Sequence, residues 1–462
     1  MSGTNTVIMG SGVNNFFAND STVNWDITGN TGANVISGDA LNDTINGGDG
    51  ADLIDGKGGV NYLNGDDGQD TFFAGDALIN NIDGGADEDA VDYNFLGVTN
   101  DVTASLADGY GTVLGHFGID YYTNIEDLVG GIGNDHLTGD GNANRLDGND
   151  GNDTLEGGGG NDKLFGGDND DVLVGGGGAD ELHGDGGVDT VSYVDATSGV
   201  EFSLADGGTV GIANGDSYFD VENGTGSNFD DTLKGDGKAN VLDGGKGDDL
   251  FQGGGGADTF IGGDGKDTVS FENAQNGVTV SLADSTGTGG DGAQLTFDHV
   301  ENLTGSDQDD TFTGDSGKNV FDGGDGADTL NGKGGNDTLN GDGGKDILIG
   351  GLGADTLTGG AGFDTYQFNS MQDSLNSPGK FDTITNFQSG EKIDLSGIDA
   401  DTGAKGDQAF TLVANFSGNA GEVRSFVDAT TGDTIVQAYD GTDNFQVDLT
   451  TSVTLTTSNF VF

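Results

Sequence analysis

One apolar side chain in every nine residues is the dominant periodicity of the chain. Four runs, 29–73, 130–192, 226–270 and 305–367, hold 24 tandem nonapeptides, and position eight is apolar or aromatic in each, from Ile36 to Tyr366. Position six is Asp in 19 of them and Asn in five, namely Asn34, Asn61, Asn144, Asn240 and Asn319. GGDGADTLN, Gly323 to Asn331, is the cleanest copy. Glycine at positions one, two and four permits left-handed backbone and close chain approach, so the first six residues predict a tight turn. The last three predict a short strand whose middle side chain points inward while positions seven and nine face out.

A different pattern interrupts the nonapeptides three times, near 92–129, 193–225 and 271–304. Each stretch alternates apolar and polar residues up to an SLAD sequence (Val102, Ala104, Leu106; Val200, Phe202, Leu204; Val278, Val280, Leu282). A Gly-rich turn follows, then Ile125-Glu126, Val221-Glu222 or Val300-Glu301. Period two argues for half-buried strands, which we read as wider coils of one solenoid. The three glutamates are candidate edge ligands for a cation, with a capping or solvated carboxylate the preferred reading. At the front, 1–28 holds a degenerate copy (Gly10 to Ala18, with Asn15 and Phe17 in the diagnostic columns) and the only Trp, Trp25, suited to capping a solenoid end. The expected organisation is therefore a cap at 1–28, repeat blocks at 29–91, 130–192, 226–270 and 305–367, interludes at 92–129, 193–225 and 271–304, and a C-terminal β cap at 368–462.

Composition changes this picture in one respect. The 462 residues include 93 Gly, one Pro and no Cys, with 80 acidic against 14 basic side chains and a net charge of -66. Taken alone, such acidity with 32% hydrophobic residues predicts disorder. Only 10 of the acids are Glu, however, and a chain so biased to Asp suits tight turns that coordinate a hard cation. Disulfides and Cys-ligated zinc are excluded, and a surface of this sign repels nucleic acid. No apolar run approaches the roughly 20 residues of a transmembrane helix, and the N-terminus has neither a basic nor an extended apolar signal region.

With these motifs in hand, the chain resembles the repeats-in-toxin (RTX) family, whose nonapeptide is GGxGxDxUx. The resemblance implies an all-β, calcium-stabilised parallel β-roll, a β-helix solenoid in which two nonapeptides make one coil and Ca²⁺ sits between turns one coil apart. An 18-residue coil pairs Asp153 with Asp171, Asp162 with Asp180, Asp328 with Asp346, and Asp337 with Asp355. The expected metal ligands are Asp43, Asp52 and Asp70; Asp135, Asp153, Asp162, Asp171, Asp180 and Asp189; Asp231, Asp249, Asp258 and Asp267; Asp310, Asp328, Asp337, Asp346, Asp355 and Asp364. Asn144, Asn240 and Asn319 are weaker candidates, since a neutral amide gives a weaker site or a purely structural turn. One ion per coil-separated pair within the blocks gives about 16 Ca²⁺, six to eight oxygens each. From Gly362 onward, FDTYQFNSMQDS and FDTITNFQSGEKIDLSGIDA resemble the C-terminal domain of serralysin-type proteases and other type I secretion substrates. That likeness implies a β cap whose end addresses the secretion channel, although the terminal Asn459-Phe460-Val461-Phe462 lacks the acidic residue common in such tails.

No catalytic motif accompanies the repeats. The four His residues (His116, His136, His183, His299) are scattered, and HExxH, GxSxG and Walker sequences are absent. The expectation is a non-enzymatic, secreted calcium-binding protein that folds on meeting extracellular Ca²⁺ and self-associates into a surface layer, filament or biofilm matrix, with the type I secretion machinery as its partner in export. The alternative is a calcium-dependent adhesin for cell-surface polysaccharide or lipopolysaccharide, with Tyr110, Tyr121 and Tyr122 as candidate contacts. An extracellular enzyme with an unrecognised site ranks last.

Overall fold

The computed structural model describes residues 3–74, 77–94, 100–289, 294–377, 379–403 and 408–462. These residues are all-β apart from two short 3₁₀ turns, Gly211–Ala213 and Thr457–Asn459. The chain divides into two compact units, Met1–Asn228 and Phe229–Phe462. No helix among the described residues is long and apolar enough to cross a membrane, which says nothing of a β-barrel.

In the first unit, consecutive nonapeptide strands alternate between two parallel sheets, so each strand pairs with the one a coil later. Leu137 lies beside Leu155, Leu155 beside Leu173 and Leu173 beside Val191 in one sheet. Leu128, Leu146, Leu164 and Leu182 stack in the same way in the other. The second unit repeats the scheme: Phe312, Leu330, Leu348 and Tyr366 run along one sheet, and Leu303, Phe321, Leu339 and Leu357 along the other. Every position-eight side chain of the 24 nonapeptides is at most 2% exposed. The core is therefore a column one or two side chains thick. Phe251 meets Phe260 and Phe312 meets Phe321 edge-on across it, at centroid distances of 6.0 and 5.7 Å.

The first block continues two turns beyond its expected last nonapeptide, after a one-residue insertion. Asn80 and Ile82, then Asp89 and Val91, take columns six and eight, all at 0–3% exposure, and the Asp70 amide reaches Asp89 across 19 residues rather than 18. At the front, the register runs Phe16 opposite Ile36. This shifts the degenerate copy by one: Phe16 lies over the core column and packs on Trp25 at 5.5 Å, whereas Phe17, expected there, is 58% exposed.

The first and third interludes each add an antiparallel meander to one sheet. Its last strand joins the preceding coil (Ile119–Thr123 on Ile79–Ala86; Gln294–Asp298 on Thr259–Asp264), and its first strand joins the following one (Val102–Ser105 on His136–Thr138; Thr279–Ser281 on Thr311–Thr313). The opposite sheet gains a single strand, Asp127–Val129 or Asn302–Thr304. In the second interlude, Ser217–Phe219 extends one sheet and Asn223–Thr225 the other. A pair of tyrosines and an aspartate fills the interior of two interludes. Tyr193 donates to Asp216 at 2.7 Å and meets the Tyr218 hydroxyl; Tyr93 meets Tyr122 beside Asp120. The equivalent third-interlude positions are Phe271, Phe297 and Leu295, so the whole polar set is replaced by an apolar one. Tyr122 is buried at 5% exposure, which removes it from the candidate surface contacts; Tyr110 and Tyr121 are exposed.

After Tyr366 the coil widens to 27 residues. Thr383 pairs with Thr356 and Lys392 with Thr365, and the antiparallel strands Glu422–Val427, Thr434–Tyr439 and Asn444–Leu449 close one sheet. Phe460–Val461 closes the other against Lys392–Asp394.

Candidate metal centres

All 22 expected ligands are buried, at no more than 4% exposure, although aspartate is ordinarily a surface residue. Their fixed position comes from the backbone. Within a block the amide of a position-six residue donates to the Oδ1 of its counterpart one coil later: Asp153 to Asp171 at 2.7 Å, Asp162 to Asp180 at 2.8 Å, Asp328 to Asp346 at 2.9 Å and Asp337 to Asp355 at 2.8 Å. The coil-separated pairs are therefore direct neighbours, linked through one oxygen of the later carboxylate.

The second oxygen divides the turns into two kinds. In closed turns the position-two amide of the same nonapeptide donates to the position-six side chain. Asp39 donates in this way to Asp43 and Ser306 to Asp310, at 2.8 and 2.6 Å, and Gly131 donates to Asp135. Asn30, Asp140, Asp236 and Asp315 donate to Asn34, Asn144, Asn240 and Asn319 at 2.8–3.1 Å. In open turns position two is left-handed, as at Gly158 (φ 97°), Gly167 (φ 110°) and even Lys333 (φ 69°). The amide then points away. Buried Oδ2 atoms without any hydrogen-bond donor result at Asp52, Asp70, Asp153, Asp162, Asp171, Asp180, Asp189, Asp249, Asp267, Asp328, Asp337, Asp346, Asp355 and Asp364, and also at Asp89 and Asp382, which the sequence reading left out.

Closed turns are the first two of a block, where no nonapeptide turn lies one coil earlier. Asn144, Asn240 and Asn319 all occur there, and the amides of Asn144 and Asn319 also donate, at 2.9 Å each, to the carbonyls of Glu126 and Glu301. In Asn144 and Asn319 both the side-chain oxygen and the side-chain amide thus have protein partners. Asp43, Asp135 and Asp310 likewise have both oxygens engaged.

Open turns gather acceptors only. A methyl group on Gly148 would stand 2.2 Å from Asp153 Oδ2 and 2.6 Å from the Gly166 carbonyl oxygen; on Gly332, 2.2 Å from Asp337 Oδ2 and 2.8 Å from the Gly350 oxygen. Glycine is required by this approach. Burial, with like charges one coil away, pushes Asp153, Asp171, Asp249 and Asp337 up to about 7 and Asp328 to about 8. Among the described residues no three acidic or imidazole side chains cluster tightly enough to hold a metal by themselves. Carboxylate plus backbone carbonyl oxygens, all hard donors, nevertheless fit Ca²⁺, whose shell is commonly completed by main-chain oxygens.

Fold and site together define a cation-binding parallel β-solenoid. The family model described as RTX calcium-binding nonapeptide repeat (4 copies) matches overlapping segments within 28–77, 123–191, 225–273 and 297–366, just over half of the chain. The chain belongs to that family, and its repeats are calcium-binding structural elements. Comparison with curated proteins gives no match. Among solved structures, the AlgE6R2 subunit of the Azotobacter vinelandii mannuronan C5-epimerase is 28% identical over 35% of this chain and 92% of its own, with a TM-score of 0.24. The AlgE6R3 subunit of the same enzyme is 30% identical over 34% and 78%, with a TM-score of 0.19. The extracellular lipase LipA of Serratia marcescens is 19% identical over 53% of this chain and 41% of its own, with a TM-score of 0.22.

Proposed function

We propose that this protein is a secreted structural protein whose folding is switched on by extracellular calcium, at the open-turn aspartates. The observation that carries this reading is the series of buried Oδ2 atoms without donors. Successive ionised carboxylates at a strand spacing of about 4.8 Å repel by roughly 1 kcal/mol per pair even in water, and burial raises that cost. A cation between turns reverses the sign. A chain that cannot close without Ca²⁺ stays threadable where calcium is scarce and becomes rigid where it is abundant, which suits export through a type I channel with the C-terminal cap as address. The non-enzymatic reading rests on the same assignment, because the acidic groups that would otherwise suggest catalysis belong to the ladder. Outside the cell, the regular outward rows at positions seven and nine would associate copy to copy into a layer, filament or matrix, with Ca²⁺ bridging acidic faces.

Electron microscopy and sedimentation of the purified chain with millimolar Ca²⁺ test the assembly. Ordered filaments or sheets that dissolve in chelator are expected; monomers at every calcium concentration would refute self-association. The exposed rings of Tyr110, Tyr121 and Phe117, the last 96% exposed, favour a second reading, an adhesin for a surface glycan or lipopolysaccharide. Persistent monomers that bind such polymers only with Ca²⁺ would establish it.

A further inference from the structure

Three of the buried oxygens without donors lie where a repeat block meets an interlude: Asp89, Asp189 and Asp267 end their ladders, each 0% exposed, with Oδ1 taken by the amide of Asp70, Asp171 or Asp249 and Oδ2 unpartnered. In place of the next nonapeptide turn each faces the Ile-Glu or Val-Glu dipeptide of the interlude. The register sets Ala90 opposite Asp127, Thr190 opposite Asn223 and Thr268 opposite Asn302, so Glu126, Glu222 and Glu301 stand beside the three aspartates. Each glutamate accepts the aspartate's amide through Oε2, at 3.0, 3.1 and 2.9 Å. That bond is the one a position-six Asp makes inside a block.

The residue two before each glutamate is left-handed without being glycine: Asn124 (φ 53°), Asp220 (φ 49°) and His299 (φ 51°). This backbone turns its carbonyl toward the orphaned carboxylate. A methyl group on Gly84 would stand 1.9 Å from the Asn124 oxygen and 2.6 Å from Asp89 Oδ2; on Gly184, 2.2 Å from the Asp220 oxygen and 2.5 Å from Asp189 Oδ2; on Gly262, 1.9 Å from the His299 oxygen and 2.5 Å from Asp267 Oδ2. Turns inside a block, open and closed alike, bring a glycine carbonyl one coil later to the same place, so it is the orphaned Oδ2 that sets the junctions with the open turns. The interlude reproduces this approach with a shorter turn, and the longer reach of Glu makes up the missing length.

Asp180, at the end of the second block's other ladder, faces an aspartate of the interlude rather than a glutamate. Its amide goes to Asp216 at 3.0 Å, and Asp216 is in turn held by Tyr193.

We propose that Asp89, Asp189 and Asp267, with the carbonyls of Asn124, Asp220 and His299, form three junction sites for a hard divalent cation, Ca²⁺, which dock the interludes onto the repeat blocks. Glu126, Glu222 and Glu301 act as positioning residues that fix the aspartate amide and add negative charge beside the ion. The proposal rests on the reading that open turns take calcium, and it extends that chemistry to strand coils without a nonapeptide. Asp89 is the sharpest case, because it lies outside the segments matched by the family model.

The test is calcium counted per chain, by equilibrium dialysis with elemental analysis at saturating Ca²⁺, on the full-length protein and its variants. Asp89→Asn should bind one ion fewer than wild type, and the triple variant with Asp189→Asn and Asp267→Asn three fewer. An unchanged count overturns the proposal. Hydrogen exchange on the same samples separates a lost site from a lost fold: in Asp89→Asn the amides of Ile119–Thr123 should exchange at least tenfold faster while those of Thr154–Gly159 keep their protection. Glu126→Gln keeps an acceptor for the Asp89 amide and should bind one ion several-fold more weakly; a binding curve identical to wild type counts against the proposal. A wild-type chain that takes up no calcium would defeat the underlying family reading, and the junction sites with it.

Discussion

Two adjoining stretches of the second block show what a turn gains from the turn beneath it. Asp135 and Asn144 open the block in closed turns, their side chains tied back to the amides of Gly131 and Asp140. Asp153 and Asp162, in the next two nonapeptides, have the same burial and the same ladder bonds, yet each leaves Oδ2 without a donor. The sequence motif is nearly identical. What differs is the left-handed residue at position two (Asn149 and Gly158), which withdraws the amide once a turn lies one coil earlier. A closed turn satisfies both oxygens with protein donors, whereas an open turn leaves one buried oxygen that, on the proposed reading, a cation takes up.

The largest effect that can break this comparison is pH acting on chelated protein. Asp328 is raised to about 8 and Asp153, Asp171, Asp249 and Asp337 to about 7, against an ordinary value near 4. A raised folded value means the folded state binds protons more tightly than the unfolded one. Its contribution is fully present below about pH 4 and is lost as pH rises through about 6 to 8. Metal-free protein should therefore gain β structure on acidification from pH 8 to pH 5, in circular dichroism, while calcium affinity falls over the same window. Structure that is independent of pH in chelator would break the account.

Next in size are paired removals. Asp153→Asn with Asp162→Asn, two open turns on different ladders, should destabilise the calcium-loaded protein by about 5 kcal/mol in denaturant melts if each of two ions is present at some 100 times its dissociation constant, worth about 2.7 kcal/mol apiece. Asp135→Asn, in a closed turn, should cost about 1 kcal/mol, the scale of one hydrogen bond. Equal costs at the two kinds of turn would remove the distinction.

Glycine substitutions sharpen it further. Gly167→Ala puts a methyl 1.9 Å from the Asn149 carbonyl oxygen at φ 110° and should cost several kcal/mol. Gly141→Ala, in a closed turn with nothing within 4 Å, should stay within about 1 kcal/mol. The smallest net effect is a gain. Asn61 stands in a turn with left-handed Lys57 (φ 54°), and its amide donates to Asn80 at 2.9 Å and to the Lys57 carbonyl at 3.2 Å. Asn61→Asp should lose about 1–2 kcal/mol in chelator and bind one additional Ca²⁺ in titration. A variant destabilised with no added ion would count against the cation reading.

The fold was legible because position eight repeats without exception, and an 18-residue coil then aligns Leu137 with Leu155 and Asp153 with Asp171. The open and closed turns were not, because they differ in a neighbour one coil away rather than in local residues. Asp89 was missed through a one-residue insertion that hid GGADEDAVD, Gly84 to Asp92, from a strict nine-residue frame. Asp382 carried a readable signal, since Asp382-Thr383-Ile384 repeats the Asp337-Thr338-Leu339 pattern, but a 27-residue coil separates it from its neighbour Asp355. The interlude glutamates looked like caps, and only the strand register shows them standing in for position-six aspartates.

On the proposed reading, cations rather than the narrow apolar column hold the coils together at neutral pH. Far-ultraviolet circular dichroism at pH 7.5, first in chelator and then on addition of millimolar Ca²⁺, tests it most directly. A largely unfolded spectrum in chelator should convert cooperatively to a β spectrum as calcium is added. A β spectrum of full strength in chelator, unchanged by calcium, would contradict it.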